Sequence, residues 1–218
     1  MKYSALVVAA GKGNRMHLGF NKVYARLENG KTILETAIAV FLMDPDCIQV
    51  VIVTNPEEYR TRVIGRMPGR ITLCEGGSTR QESVRNGLLA VLADTVFIHD
   101  GARPFLDKNH LSLLKKAMET EDAALLCVPC KDTIKKVQDG YIETTYDRST
   151  LIAAQTPQAF RTDLIISCIE QAEMDGYTGT DDCSLVEKYS KVRIKAVEGN
   201  YANRKITTAD DLNFQKER

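Results

Sequence analysis

No excess of either charge marks this chain: 29 Lys and Arg balance 29 Asp and Glu across 218 residues. Such a protein has no overall field with which to hold nucleic acid or an anionic membrane, so any polyanion it binds must be met locally. Long apolar runs are also missing. The stretch from Ala5 to Ala10 is far short of the ~20 residues of a membrane span, and no small-residue cleavage site follows it. A cytoplasmic protein is expected. Cysteine is scarce in the arrangements that support metal or redox chemistry. Cys47, Cys74, Cys168 and Cys183 are isolated. The one close pair, CVPC at Cys127 and Cys130, lacks the second pair of a zinc site and the helix opening of a thioredoxin-like site. Two reduced, packed thiols at a strand end are the plainer reading.

What is present is the make-up of one α/β domain, 44% hydrophobic and 27% charged, with enough apolar residues for a full core. A single domain over 1–218 is expected. Short β-branched runs at 5–8, 50–53, 71–73, 96–99, 124–128 and 192–197 read as strands. They alternate with helical patterns at 32–43, 56–66, 79–92, 108–120 and 162–175. That alternation predicts a mostly parallel, Rossmann-like sheet with helices on both faces. Thr32 with Glu35, and Thr79 with Glu82, have capping-box spacing, and Pro56 suits a first helical turn. One segment breaks the rhythm. Two alternating runs, 133–138 and 141–146, flank Asp139-Gly140, which predicts a β-hairpin. A hairpin has no natural place within a parallel sheet, so it is expected to project as an arm, about 132–150, and to pack on a partner.

The first strand runs into AAGKGNRM, a glycine-rich turn at the carboxyl end of a strand, where α/β sheets place their ligands. The third glycine of GxGxxG is absent, and the second strand ends in Thr54-Asn55 rather than an acid, which argues against a dinucleotide site. No GK[ST] follows at P-loop spacing. Charge strengthens the case for a phosphate ligand: Lys2, Lys12, Arg15, Lys22 and Arg26 fall within the first 27 residues, with no acid among them. A triphosphate carries about four negative charges, and its transfer is catalysed mainly by positioning and by cations. Arg15 and Lys22 are placed for that work; a solvated basic surface is the bland alternative.

The loop AAGKGNRM with Lys22, then GGSTRQESVRNGL, HDGARPF, QTPQAF, TDDCSLVE and NRKITTADDL, occur in one order over essentially the whole chain. In this the sequence closely resembles the 2-C-methyl-D-erythritol 4-phosphate cytidylyltransferases of the non-mevalonate isoprenoid pathway. The resemblance implies transfer of CMP from CTP to a polyol phosphate, with release of pyrophosphate. It implies a triphosphate loop of Ala9, Ala10, Gly11 and Gly13, with Arg15 and Lys22 facing the α-phosphorus. It places Gly77 and Ser83 at the cytosine, with Arg80 beside them, and Asp100 and Ala102 at the nucleotide. Asp100 is also the expected ligand of Mg²⁺ or another divalent cation, since Mg²⁺ is usually held by one or two carboxylates plus phosphate oxygens and water. The bland alternative is Asp100 merely paired with Arg103, and His99 reads as structural. The acceptor would be met by Thr133, Arg148, Thr156 and Lys205, with Lys205 also catalytic. Some family members carry an aspartate near the position of Ala202, where this chain has none. A homodimer joined through the arm is likewise implied. The nearest rival is a ribitol 5-phosphate cytidylyltransferase, but AAG in the loop, NGL, HDGARPF and TDDCSLVE favour the isoprenoid enzymes. An NAD-dependent oxidoreductase lacks its ribose acid here. An inactive nucleotide sensor would have lost Arg15, Lys22 or Asp100.

Overall fold

A computed structural model describes residues 1–11, 19–63, 69–208 and 211. Seven strands form the main sheet, in the order β3-β2-β1-β4-β8-β5-β9. They are β1 (Tyr3–Val8), β2 (Cys47–Val53), β3 (Ile71–Cys74), β4 (Thr95–Asp100), β5 (Ala123–Pro129), β8 (Ile152–Arg161) and β9 (Lys195–Glu198). β8 alone among them runs antiparallel, wedged between β4 and β5. The mostly parallel sheet is thus as expected; a ten-residue strand at 152–161 was not.

Helices α1 (Ile33–Met43), α2 (Pro56–Arg62), α3 (Arg80–Leu88), α4 (Lys108–Ala117), α5 (Thr162–Met174) and α6 (Asp182–Tyr189) complete the main layers. Alternation along β1 shows why both faces need cover. Tyr3, Ala5 and Val7 pack with Ile38 and Phe41 of α1 and with Leu111 and Leu114 of α4. Leu6 packs on the opposite face with Val84 and Leu88 of α3 and with the α5 residues Ile165 and Ile169. Successive side chains of a strand point to opposite faces, so a strand apolar at both parities must be buried on both sides.

The helix starts follow their predicted chemistry in part. Thr32 and Glu35 form a reciprocal capping box, and Pro56 opens α2 behind Asn55, whose side chain accepts from Glu57 N and Glu58 N. At α3 only half of the box forms. Thr79 accepts from Glu82 N, while the Glu82 carboxylate turns to the amide and hydroxyl of Ser78. Two helix ends were overrun: α3 stops at Leu88 rather than 92, and α4 at Ala117 rather than 120. The stretch 64–66 expected in α2 lies outside the described residues.

The arm is the hairpin β6 (Lys135–Gln138) and β7 (Tyr141–Thr145). Asp139 and Gly140 both take positive φ, 50° and 83°. Such a turn matches the twist of the two strands, which is why Asp-Gly is found there. Every residue from 131 to 150 is exposed, including Ile134, Val137, Tyr141, Ile142 and Tyr146. All six cysteines are free, with Cys127 buried in β5 and Cys130 half-buried just beyond it. No helix among the described residues is long and apolar enough to cross a membrane.

Candidate active site

Strand order reverses between β1 and β4: β2 and β3 lie to one side of β1, and the rest of the sheet lies beyond β4. The carboxyl ends of two such strands diverge and leave a crevice between their loops. A cavity of about 380 Å³ opens there, lined by the residues after β1 (Ala9, Ala10, Gly11), by Lys22, by the turn into α3 (Gly77 to Arg80, and Ser83), by Asp100 and Ala102 after β4, and by Lys205. Ten residues proposed from the sequence therefore share one cavity wall. Gly13 and Arg15 lie outside the described residues.

Close backbone contacts bring these loops together. A Cβ on Gly76 would sit 2.2 Å from that of Ala10, so the first loop and the α3 turn touch only because position 76 has no side chain. Gly101 N donates to Val8 O at 2.9 Å, joining the ends of β1 and β4. The Asn21 amide donates to Ala9 O, and its Oδ1 caps the short 3₁₀ turn Lys22–Tyr24, which fixes the backbone that carries Lys22. Ser83 acts on the backbone of its own turn: its Oγ accepts from Gly77 N at 3.0 Å and donates to Thr79 O at 2.8 Å.

Asp100 is the electrostatic centre. Its side chain is about one-tenth exposed. Lys205 Nζ is 3.0 Å and Arg103 Nε 3.4 Å from Oδ2, while Arg80 Nε is 3.6 Å from Oδ1. Burial alone would raise the carboxyl's pKa, but Lys205, Arg80 and Arg103 outweigh it and hold the group well below the usual carboxylate range. Arg80 also makes two parallel bonds to Asp182, at 2.9 and 2.7 Å, from the first turn of α6. Burial works against the charge of Arg80; Asp182 and Asp100 more than offset it and raise its pKa. At Arg103 burial prevails over Asp100, and the pKa is lowered. Among the described residues, four cations, Lys22, Arg80, Arg103 and Lys205, stand with two carboxylates, Asp100 and Asp182, in and beside the cavity, an arrangement suited to a polyanion.

The same geometry tests the divalent-cation expectation. Asp100 Oδ1 has a 3.6 Å contact from Arg80, too long for a hydrogen bond, so an ionised oxygen keeps coordination capacity beside the cavity. No cluster of three or more acidic, His or Cys side chains among the described residues could hold a metal alone. A cation here would draw its other ligands from phosphate oxygens and water, as Mg²⁺ commonly does.

Residues 3–216 match the family described as 2-C-methyl-D-erythritol 4-phosphate cytidylyltransferase. The chain belongs to that family. The protein of that name from Geobacillus kaustophilus is 46% identical over 220 residues, spanning 98% of this chain and 95% of the relative. The one from Clostridioides difficile is 40% identical, spanning 99% and 92%. Among solved structures, 4-diphosphocytidyl-2C-methyl-D-erythritol synthase from Anaerococcus prevotii superposes with a TM-score of 0.87 at 28% identity, covering 98% of this chain and 95% of that one. The Francisella tularensis 2-C-methyl-D-erythritol 4-phosphate cytidylyltransferase gives 0.85 at 28% identity, covering 99% of both. As a member of the family the protein is a cytidylyltransferase, and so a nucleotidyltransferase.

The residues expected at the acceptor are spread more widely than those at the nucleotide. Lys205 lies in the cytidylyltransferase cavity. Thr133 is exposed on the arm. Arg148 donates to Lys131 O at 2.7 Å and lines a separate, open groove of about 640 Å³ at the base of the arm, with Cys130 and Ser149. Thr156 is buried, its hydroxyl 3.0 Å from both Asp100 N and His99 Nδ1. His99, beside it, is fully buried, and burial lowers its pKa to about 4. Sequence reading gave no role to Asp182 or Asn21. Asp182 lies in the TDDCSLVE block that carries the resemblance, but its place beside the N-cap of a helix was hidden because the periodicity did not reveal that helix.

Proposed function

We propose that the protein transfers CMP from CTP to 2-C-methyl-D-erythritol 4-phosphate in a single nucleotidyltransferase domain of the cytoplasm. An acceptor phosphate oxygen attacks the α-phosphorus in line, a P–O bond forms, and the bond to the bridging oxygen of pyrophosphate breaks. The observation that carries this reading is the cavity at the reversal point of the sheet, where cations outnumber carboxylates in a chain that is neutral overall. Backbone groups of Ala9, Ala10, Gly11 and Gly13 cradle the triphosphate. Arg15 and Lys22 meet the charge that grows on the equatorial and leaving oxygens, the usual way proteins favour phosphoryl transfer. Lys205 holds the acceptor phosphate close to the α-phosphorus, while Asp100 keeps Lys205 and Arg80 in place.

Asp100 would be the protein ligand of a Mg²⁺ ion, which when bound neutralises charge on the phosphate oxygens. Gly77 and Ser83 shape the turn that faces the base, with Arg80 and Ala102 nearby. Exposed Ile134, Val137, Tyr141, Ile142 and Tyr146 give the arm an apolar surface with no cover among the described residues, which supports a homodimer in which the arm brings Thr133 and Arg148 to the partner's acceptor site. A two-fold contact buries both arms at once.

Pyrophosphate release by the purified protein tests the reaction. With CTP and Mg²⁺, 2-C-methyl-D-erythritol 4-phosphate is expected to give a higher kcat/KM than ribitol 5-phosphate; the reverse order would move the chain to the rival acceptor. UTP should be poorer than CTP by about 1–3 kcal/mol, roughly five- to 150-fold, because uracil opposes a carbonyl to groups set for the cytosine amine. Asp100→Asn is expected to depress turnover while circular dichroism stays that of the wild type, and chelator should abolish wild-type turnover. Full activity in chelator would remove the metal role.

A further inference from the structure

Neither His99 nor Thr156 lines the cavity, and both are buried, yet their side chains hold the turn that presents Asp100. His99 Nε2 lies 3.0 Å from the carbonyl oxygen of Arg103. A carbonyl can only accept, so Nε2 carries the ring proton and Nδ1 is an acceptor. The Thr156 hydroxyl, 3.0 Å from Nδ1, must then donate to the ring, which leaves its oxygen to accept from the Asp100 amide at 3.0 Å. One directed chain of bonds results, from Asp100 N–H to Thr156 Oγ1, from its hydroxyl to His99, and from His99 to Arg103 C=O. Its two ends are the first and last residues of the 100–103 turn.

The chain extends to the other wall of the cavity. Thr156 O accepts from Asn203 Nδ2 at 2.8 Å, and Asn203 O accepts from Arg103 Nη1 at 2.8 Å. Asn203 stands two residues before Lys205. The ring of His99 is also fixed against Phe41, edge to face at 5.4 Å.

We propose that His99 is a positioning residue for catalysis: acting through the Thr156 hydroxyl and the Arg103 carbonyl, it sets the turn that aligns Asp100, Arg103 and Lys205 on the reacting phosphates. This rests on the reading of the cavity as the CTP site. Transfer depends on the placement of these charges, and a shift of ~1 Å at such a centre can lower the rate on the order of a hundredfold.

Steady-state kinetics on the full chain with CTP, 2-C-methyl-D-erythritol 4-phosphate and Mg²⁺ test the proposal, using His99→Phe, Thr156→Val, their double mutant and Thr156→Ser. Phe keeps the apolar packing of the ring and loses both nitrogens; Ser keeps the hydroxyl. His99→Phe and Thr156→Val should each lower kcat per folded molecule by about ten- to a hundredfold, with little change in either KM. The double mutant should be no slower than the slower single, since both cut one chain, and Thr156→Ser should keep most of the activity. Unchanged kcat per folded molecule would overturn the proposal, as would additive losses in the double mutant. So would a raised KM for the polyol phosphate in Thr156→Val alone, which would place Thr156 on the acceptor directly. If the wild type did not turn over CTP, the reading of the site would fail separately. Amide exchange across residues 99–103 would then decide the positioning claim: faster in His99→Phe and Thr156→Val but not in Thr156→Ser if it holds, unchanged in all three if it does not.

Discussion

Lys22→Ala and Arg15→Ala are each expected to lower kcat by about 10²–10³-fold while the KM for CTP changes far less. The asymmetry follows from where charge appears. The triphosphate is already anionic in the ground state and can be held by backbone amides of the first loop. Additional negative charge on the α-phosphoryl oxygens and the leaving pyrophosphate exists only as the bond breaks, and a fixed cation that meets it is worth the rate factor quoted. Lys22 is suited to this because Asn21 ties its short turn to Ala9 O, so the ammonium starts from a fixed backbone on the cavity wall. A change confined to KM in both variants would show that these residues only bind CTP.

Mixing Lys22→Ala with Arg148→Ala, each inactive alone, is expected to restore about a quarter of wild-type activity once subunits exchange. If the arm crosses to the partner, each site combines Lys22 of one chain with Arg148 of the other. In a mixed dimer one site then carries both lesions and the other carries neither. Random exchange makes about half the dimers mixed, so about a quarter of all sites are intact. The arm's geometry motivates the test: Arg148 lines the groove at the arm base, away from the cavity that holds Lys22. If mixing restores nothing while exchange is demonstrated, both residues serve the same site in one chain.

The sequence revealed β1 to β5 because each is a short, mostly apolar run; β1, β2, β4 and β5 are buried nearly throughout, and the edge strand β3 still shows the pattern though it is less buried. It hid β8 for a physical reason. The strand IAAQTPQAFR contains a proline and, before its terminal arginine, three uncharged polar residues, a pattern that argues against a central strand. Each polar group is nevertheless bonded to a distant part of the chain: Gln155 donates to Asn200 O, Thr156 bonds Asp100 and His99, and Gln158 bonds Asp181 and the amide of Cys183. Local periodicity cannot show such partners. Helix α6 escaped similarly, since its capping box joins Asp181 to Ser184 rather than to a glutamate. Residues 192–194 were expected to begin the last strand. Val192 and Ile194 instead pack on the α5 and α6 side, and β9 starts at Lys195.

At the site, the basic first loop and the carboxylate at the end of β4 could be read directly, because both depend on local composition. That Lys205 and Arg80 converge on Asp100 could not be read from spacing. It follows from the sheet order, which the hidden strand helps to set.

The position of β8 also bears on how the protein is made. As the chain emerges from the ribosome, β1 to β4 can pair side by side once residue 100 is free, since β3-β2-β1-β4 is a contiguous block. β5 cannot dock beside β4, because that place belongs to a strand not yet synthesised. The arm, a local hairpin that closes without long-range contacts, is complete before β8 arrives to seal the gap. Until residue 161 has been added, the nascent sheet keeps an open edge at β4, and such an edge is where a half-made protein is most exposed to pairing with a neighbour.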